Sequence, residues 1–98
     1  MHTEDEFKQE IIWGNLKIQL FRNKDSTALP YNSESNIIAI DSSGGVIWKA
    51  ETPRPHHQQY FDMEIDKEKN VLIANTGSGY RHLISLENGK VLNYYLIK

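Results

Sequence analysis

Two short motifs contain residue types that could do chemistry, but neither has the spacing that the chemistry needs. His56 and His57 are adjacent, so in extended backbone their rings point to opposite sides and rarely chelate one metal ion. The run Thr76-Gly77-Ser78-Gly79 lacks the Gly-x-Ser-x-Gly spacing and the strand-to-helix turn of a nucleophile elbow, so it predicts a hairpin turn. The chain has no cysteine, which excludes thiolate nucleophiles and cysteine–zinc sites.

Other candidate catalytic groups are equally weak. The Ser42-Ser43-Gly44-Gly45 turn joins two strands, whereas a phosphate cradle opens a helix. His82 is predicted to share a strand face with Tyr80 and Ile84, where a single histidine is typical of a core residue. The sequence therefore predicts a protein that is not an enzyme and needs no metal or cofactor. An enzyme, such as a hydrolase or lyase that uses unrecognised carboxylates, stays open as an alternative to the binding functions described below.

Binding features are more prominent. From Tyr60 to Asp66 the residues alternate, which predicts an apolar face of Phe61, Met63 and Ile65. The opposite face then combines a tyrosine with three carboxylates: Tyr60, Asp62, Glu64 and Asp66. Such a stripe is either a solvated sheet face or a surface that attracts a cationic partner. Tyr94 and Tyr95 are adjacent in a strand, so one of them faces away from the core if the sheet is covered on one side.

The elements that would position these residues are strands. Apolar and polar residues alternate in several short segments separated by glycine- or asparagine-containing turns, which predicts about eight antiparallel strands in hairpins. The spacing Thr3-x-x-Glu6 permits a short N-terminal helix before a strand at 10–13. Residues 38–47 resemble residues 83–92, a faint repeat that suggests two sheets similar to propeller blades. The expected fold is all-β, either a sandwich or a partly open barrel.

Length and charge narrow the class further. The 98 residues are enough for one domain, spanning 1–98, with an ordinary hydrophobic core. The formal net charge of −2 is unlike that of proteins that bind nucleic acid through clustered Lys and Arg. No apolar run reaches the length of a membrane helix, and the acidic start does not resemble a secretory signal. We therefore expect a cytoplasmic protein that binds neither nucleic acid nor membrane.

Two resemblances add to these patterns. The run from Asn36 to Lys49, with its Ala-Ile-Asp, Gly and Val-Ile-Trp groups, resembles a phrase of the quinoprotein-type β-propellers, although the chain is too short to close a ring. Residues 36–98 are similar to small bacterial immunity proteins encoded beside toxins. The matching segments are Ile40-Asp41, Gly45-Val46-Ile47-Trp48, Ser78-Gly79-Tyr80-Arg81 and Gly89-Lys90-Val91-Leu92.

The second resemblance implies an immunity protein of a contact-dependent growth inhibition or related polymorphic-toxin system. Its partner would be a cognate toxin domain, often a basic nuclease, whose active site it occludes. The hypothetical toxin-binding residues are Tyr60, Asp62, Glu64, Asp66, His56, His57 and Tyr95. The alternative is a propeller-like structural module that acts as a homo-oligomer. The toxin's chemistry, the choice of sheet face or loops and the oligomeric state stay open.

Overall fold

The computed structural model describes residues 5–23, 35–54 and 58–97, and these residues form an all-β structure of eight antiparallel strands. The strands are β1 (Asp5–Trp13), β2 (Leu16–Asn23), β3 (Ile37–Ile40), β4 (Val46–Lys49), β5 (Tyr60–Asp66), β6 (Val71–Thr76), β7 (Tyr80–Ser85) and β8 (Val91–Leu96). The predicted fold class is confirmed. The prediction of an N-terminal helix is wrong for residues 5–10, which belong to β1. Thr3 and Glu4 lie outside the described residues.

The strands form two four-stranded meanders, β1-β2-β3-β4 and β5-β6-β7-β8, that pack together like a sandwich. Each sheet lines the core with alternate residues, as period-two strands require. The fully buried aliphatic side chains include Ile18, Leu20 and Ile37 from the first sheet and Leu72 and Ile84 from the second. The two faces together enclose one cluster of buried apolar residues.

The internal repeat corresponds to equivalent hairpins in the two sheets. Residues 38–47 span β3 and the start of β4, and residues 83–92 span β7 and the start of β8. The aligned glycines Gly44 and Gly89 both have a positive φ, of 90° and 78°. The aligned residues Ile47 and Leu92 are both skipped in the pairing of their hairpins, which marks a β-bulge in each.

Two side-chain amides join the edge of β5 to the first sheet. The Gln9 side chain donates to the Met63 carbonyl and accepts from the Met63 N–H, at 3.1 Å and 2.8 Å. Asn36 donates to the Tyr60 carbonyl at 3.0 Å and accepts from the Tyr60 N–H at 2.9 Å. Each amide therefore replaces one residue of a neighbouring strand, and this edge of β5 is bonded to the other sheet.

Candidate protein-binding surface

A β-bulge at Phe61 changes which residues of β5 face the core. Tyr60 pairs with Thr76 and Asp62 pairs with Asn75, so Phe61 is the additional residue. Tyr60 is fully buried and donates its hydroxyl hydrogen to the Glu51 carbonyl at 2.6 Å, while Phe61 is 42% exposed. The predicted faces of these two residues are therefore wrong. Tyr60 is a core residue in this structure and is not available to a partner.

Burial has the expected effect on the Tyr60 phenol. It raises the pKa of Tyr60 well above its usual value, and the negative charge of Glu51 raises this pKa further. The hydroxyl therefore stays protonated and keeps its bond to the carbonyl. Tyr60 stabilises the fold by linking β5 to the segment that follows β4.

Beyond the bulge, two of the predicted carboxylates lie on the outer face of the second sheet. Asp62 and Glu64 alternate with Met63, which is buried, so both point away from the core. Glu64 is exposed and Asp62 is half-buried. The strand registers then place Asn75, Arg81 and Tyr95 in one cross-strand row with Asp62.

Hydrogen bonds order this row. Asn75 donates its side-chain N–H to the Asp62 carboxylate at 2.8 Å, and its side-chain oxygen accepts from Arg81 Nε at 3.0 Å. Arg81 thus brings a positive charge into the row that was predicted to be acidic. The next row runs from Glu64 through Ile73 and Leu83 to Asn93.

We call these two rows the outer β5–β8 face. It consists of Asp62, Glu64, Ile73, Asn75, Arg81, Leu83, Asn93 and Tyr95. Half-buried Ile73 and Leu83 lie next to one another, with charged or polar residues beside them. An apolar centre with a polar rim is typical of protein interfaces.

Asp66, the third predicted carboxylate, has a structural role. One of its oxygens accepts hydrogen bonds from the N–H groups of Glu68 and Lys69, at 3.0 Å and 3.1 Å. Aspartate in this position stabilises a turn by replacing a backbone acceptor. Asp66 therefore holds the β5–β6 turn. His56 and His57 lie outside the described residues.

His82 is a core residue, as its strand face predicts. It is fully buried, stacks on Tyr94 with ring centroids 5.6 Å apart and contacts the Tyr60 ring edge-on at 5.4 Å. Its Nε2 lies 2.9 Å from the Arg54 amide nitrogen and 2.8 Å from the Arg54 carbonyl oxygen. Burial lowers the pKa of His82 and favours the neutral ring, whose Nε2 accepts the Arg54 N–H in one tautomer and donates to the Arg54 carbonyl in the other.

An open depression of about 640 Å³ lies at one end of the molecule. Its lining includes Trp13 and Leu16 from the β1–β2 hairpin, Lys69 from the β5–β6 turn, and Leu86 and Glu87 from the β7–β8 turn. Among the described residues that line it, Glu87 is the one carboxylate and there is no histidine. This depression offers no acid–base pair.

The edge of β8 is a feature that the sequence reasoning identified only through Tyr95. Leu92, Tyr94, Tyr95, Leu96 and Ile97 are between 39% and 60% exposed, and among the described strands β8 has a neighbour, β7, on one side only. We call these five residues the β8 edge. The sequence contained a signal for this edge, because no charged residue lies between Val91 and Ile97.

Within the described ranges, no group of three or more His, Cys, Asp or Glu residues could hold a metal ion. The same residues contain no helix that is long and apolar enough to cross a membrane. The arrangement thus presents two surfaces for contact, the outer β5–β8 face and the β8 edge.

The fold and these surfaces define a class, the two-sheet all-β proteins built from paired four-stranded meanders. Residues 6–96 match the model of DUF7957, a domain of unknown function, and the chain belongs to this family. No curated protein and no solved structure matches the chain.

Proposed function

We propose that this chain is a cytoplasmic immunity protein that binds a cognate toxin domain and neutralises it by protein–protein contact. The observation that carries the proposal is the outer β5–β8 face, where Ile73 and Leu83 lie among charged and polar side chains. The similarity of residues 36–98 to immunity proteins supports the same function. In this proposal the chain blocks the toxin's active site and performs no reaction.

The charges on this face favour a basic partner, such as a nuclease domain. Asp62 and Glu64 are two residues apart on one strand face, and the acidic end of each row lies on β5. Complementary charge speeds encounter and rejects wrong partners, with an effect mainly on the association rate. A nuclease cleft must attract phosphate, so carboxylates on an inhibitor would compete for the same positive groups.

The rigidity of the sheet also suits tight binding. Asn75 connects the Asp62 and Arg81 side chains at 2.8 Å and 3.0 Å, so both are held in position before a partner arrives. Side chains that are already ordered lose less conformational entropy on binding. A toxin inside the producing cell requires nanomolar affinity or better, about −12 kcal/mol.

The first experiment tests rescue. The product of the neighbouring open reading frame is expressed with and without this chain, and cell growth and a co-purifying complex are measured. We expect growth only with the chain present, and a one-to-one complex. A neighbouring product that is harmless, or that does not bind, would remove the immunity function.

The second experiment tests the face. Charge reversal by Glu64→Lys is expected to slow association about tenfold at low salt, with a smaller effect at high salt because ions screen the attraction. Glu87→Lys makes the same charge change at an exposed site in the β7–β8 turn and serves as the matched control. Equal association rates for the two variants would exclude the outer β5–β8 face from the interface.

A further inference from the structure

The two sheets have four outer strands, β1, β4, β5 and β8, and their edges differ in how they are protected. The edge of β5 is bonded to the first sheet through Gln9 and Asn36. β4 has only four residues and ends at Lys49, and short length and lysine both discourage pairing with another chain. β1 contains four charged residues, Asp5, Glu6, Lys8 and Glu10, and charges along an edge strand have the same effect. Protein edges that lack such protection pair readily with a further strand.

Within the part of the chain that the structure describes, β8 has none of these protections along most of its length. It has six residues, Val91–Leu96, without a charge or a proline. Its exposed side chains are the amide Asn93 and four that are aliphatic or tyrosine, Leu92, Tyr94, Tyr95 and Leu96. At its N-terminal end, Glu51 accepts from the Val91 N–H at 2.7 Å and a bulge at Leu92 interrupts the ladder.

The backbone direction shows which groups a new strand would meet. The Ile97 N–H donates to the Gly79 carbonyl, so Ile97 points its backbone groups toward β7. In an antiparallel ladder this direction alternates, and Tyr94 and Leu96 therefore point theirs away from β7. The Tyr94 N–H is covered by the side-chain oxygen of Asn93 at 2.9 Å, a local bond that a new strand can replace.

We propose that two copies of this chain pair through β8, antiparallel, about a two-fold axis at Tyr94. The bulge at Leu92 and the end of the strand at Leu96 make the available segment symmetric about this residue. In that register Tyr94 faces Tyr94 of the second copy, and Leu92 faces Leu96 of the second copy. On the other side of the joined sheet, Asn93 faces Tyr95.

Side-chain chemistry favours a second copy as the occupant. In this register, leucine faces leucine, tyrosine faces tyrosine, and the Asn93 amide faces a tyrosine. β8 contains no charged residue that could face a residue of like charge. Two arginines lie close to β8: Arg54 lines a depression together with Asn93 and Tyr94 and forms a 3.5 Å ion pair with Glu51 of its own copy, and Arg81 pairs with Tyr95 and donates to Asn75. The formal net charge of −2 adds little repulsion between copies.

The available area predicts a weak dimer. Covering the five exposed side chains of the β8 edge would remove roughly 500 Å² per copy, or about 1,000 Å² in total, which is near the lower limit for a specific interface. We therefore expect dissociation in the micromolar range. This closed pair goes beyond the toxin-binding function and differs from a ring of several copies.

The test uses two double variants with the same number of added charges. In the proposed register, Leu92→Lys with Leu96→Glu places opposite charges across the two-fold axis, whereas Leu92→Lys with Leu96→Lys places like charges there. Sedimentation velocity is measured from about 1 μM to about 500 μM, a range that brackets the expected affinity. Urea midpoints and circular dichroism establish that both variants fold equally.

We expect the lysine pair to weaken the dimer at least tenfold and the lysine–glutamate pair to stay within about threefold of the unmodified chain. Salt at about 1 M should narrow the difference, because it screens exposed charges. Equal weakening by both double variants would overturn the register. A monomer at every concentration, or an assembly larger than two, would overturn the proposal.

A cysteine scan gives an independent measurement, because the chain contains no cysteine. Opposite residues of an antiparallel pair have Cα atoms about 5.5 Å apart, within the range of a disulfide. Tyr94→Cys should therefore form a disulfide-linked dimer under mild oxidation. Leu96→Cys should not, because its counterpart lies about 13 Å along the partner strand. Equal cross-linking of the two variants would contradict the two-fold axis at Tyr94.

These outcomes are separate from those of the toxin experiments. Glu64 lies on β5, three strands away from β8, so its charge reversal should leave the dimer unchanged. A dimer without toxin binding would remove the immunity function and keep this inference. If the chain stays monomeric and a strand of the toxin pairs with β8 instead, the immunity function is kept and this inference is removed.

Discussion

At the scale of residues, the hairpin motifs on which the immunity hypothesis rests have structural roles in the fold. Asp41 accepts hydrogen bonds from the N–H groups of Ser43 and Gly45 and from the Ser43 hydroxyl, all at 2.9 Å. These bonds lower the pKa of Asp41 and hold the β3–β4 turn. Trp48 donates its ring N–H to the Leu86 carbonyl at 3.0 Å. These motif residues therefore define a hairpin scaffold.

Gly89 is the motif residue at which we expect the largest effect. Its φ is 78°, and a Cβ there would lie 2.6 Å from Trp48 Cε3 and 2.7 Å from the Lys49 carbonyl oxygen. Gly89→Ala therefore combines backbone strain with overpacking, and should lower the free energy of unfolding by about 2–4 kcal/mol. Urea denaturation followed by tryptophan fluorescence measures this loss.

Gly44 is the matched control for this prediction, since it occupies the equivalent position of the repeat. Its φ is 90°, but a Cβ there would meet no atom within 4 Å. Gly44→Ala should therefore cost only the backbone strain, about 1 kcal/mol. Equal losses for the two variants would show that Trp48 and Lys49 move aside without cost.

At the scale of elements, the edge of β5 decides how the two sheets meet. Asn36 and Gln9 each supply a donor and an acceptor to backbone groups of β5, as a neighbouring strand would. Asn36 also donates to the Phe21 carbonyl at 2.7 Å. This arrangement closes one side of the sandwich, whereas no described segment pairs with the outer edge of β8.

Asn36→Asp tests this closure. The change removes the amide hydrogens that Tyr60 and Phe21 accept and puts a negative charge beside both carbonyl oxygens. We expect the free energy of unfolding to fall by about 2–4 kcal/mol. Hydrogen exchange at the Tyr60 amide should accelerate as well. Denaturation measures the free energy of unfolding, and nuclear magnetic resonance measures the exchange rate of the Tyr60 amide.

Gln19→Glu is the control, because the Gln19 amide bonds Glu10 on an exposed part of the first sheet. Its loss should cost no more than about 1 kcal/mol. If Asn36→Asp is no more harmful than Gln19→Glu, the amide bridges do not hold the sheets together.

At the scale of the whole molecule, His82 connects β7 to the segment between the sheets. Its ring lies between Tyr60 and Tyr94, and its Nε2 is hydrogen-bonded to the backbone of Arg54. Because burial lowers the folded-state pKa below 6.5, the unfolded chain binds this proton more readily. The stability of the fold is therefore linked to pH through this histidine.

The sign of the pH effect follows from that difference. Stability should be full above pH 6.5 and should fall as the pH drops from 6.5 toward the lower folded-state pKa of His82. The slope is at most about 1.4 kcal/mol per pH unit for one proton. Urea unfolding at several pH values measures it.

His82→Phe is the comparison variant, because it keeps an aromatic ring between the two tyrosines and cannot be protonated. We expect it to lose the part of the slope that His82 contributes. Asp41 does not interfere, since its stabilising effect is lost only below its ordinary pKa of 3.8. An identical slope in this variant would assign the pH dependence to other groups.

The sequence by itself determined the all-β class, the meander of hairpins and the core position of His82. Period-two alternation and turn residues are local signals, and they act between neighbours in the chain. The same signals predicted the equivalence of residues 38–47 and 83–92. They were enough for strand identity because each strand pairs with the next one in sequence within its sheet.

Only the tertiary structure decided the faces and edges that could bind a partner. The bulge at Phe61 buries Tyr60, and the strand β1 replaces the predicted helix over residues 5–10. Gln9 meets Met63 across 54 positions of the chain, a contact that no local pattern contains. Which carboxylates face solvent, and which edge stays open, depends on how the two sheets meet. That arrangement is set by packing between distant segments, because a sheet buries its apolar face only against another element.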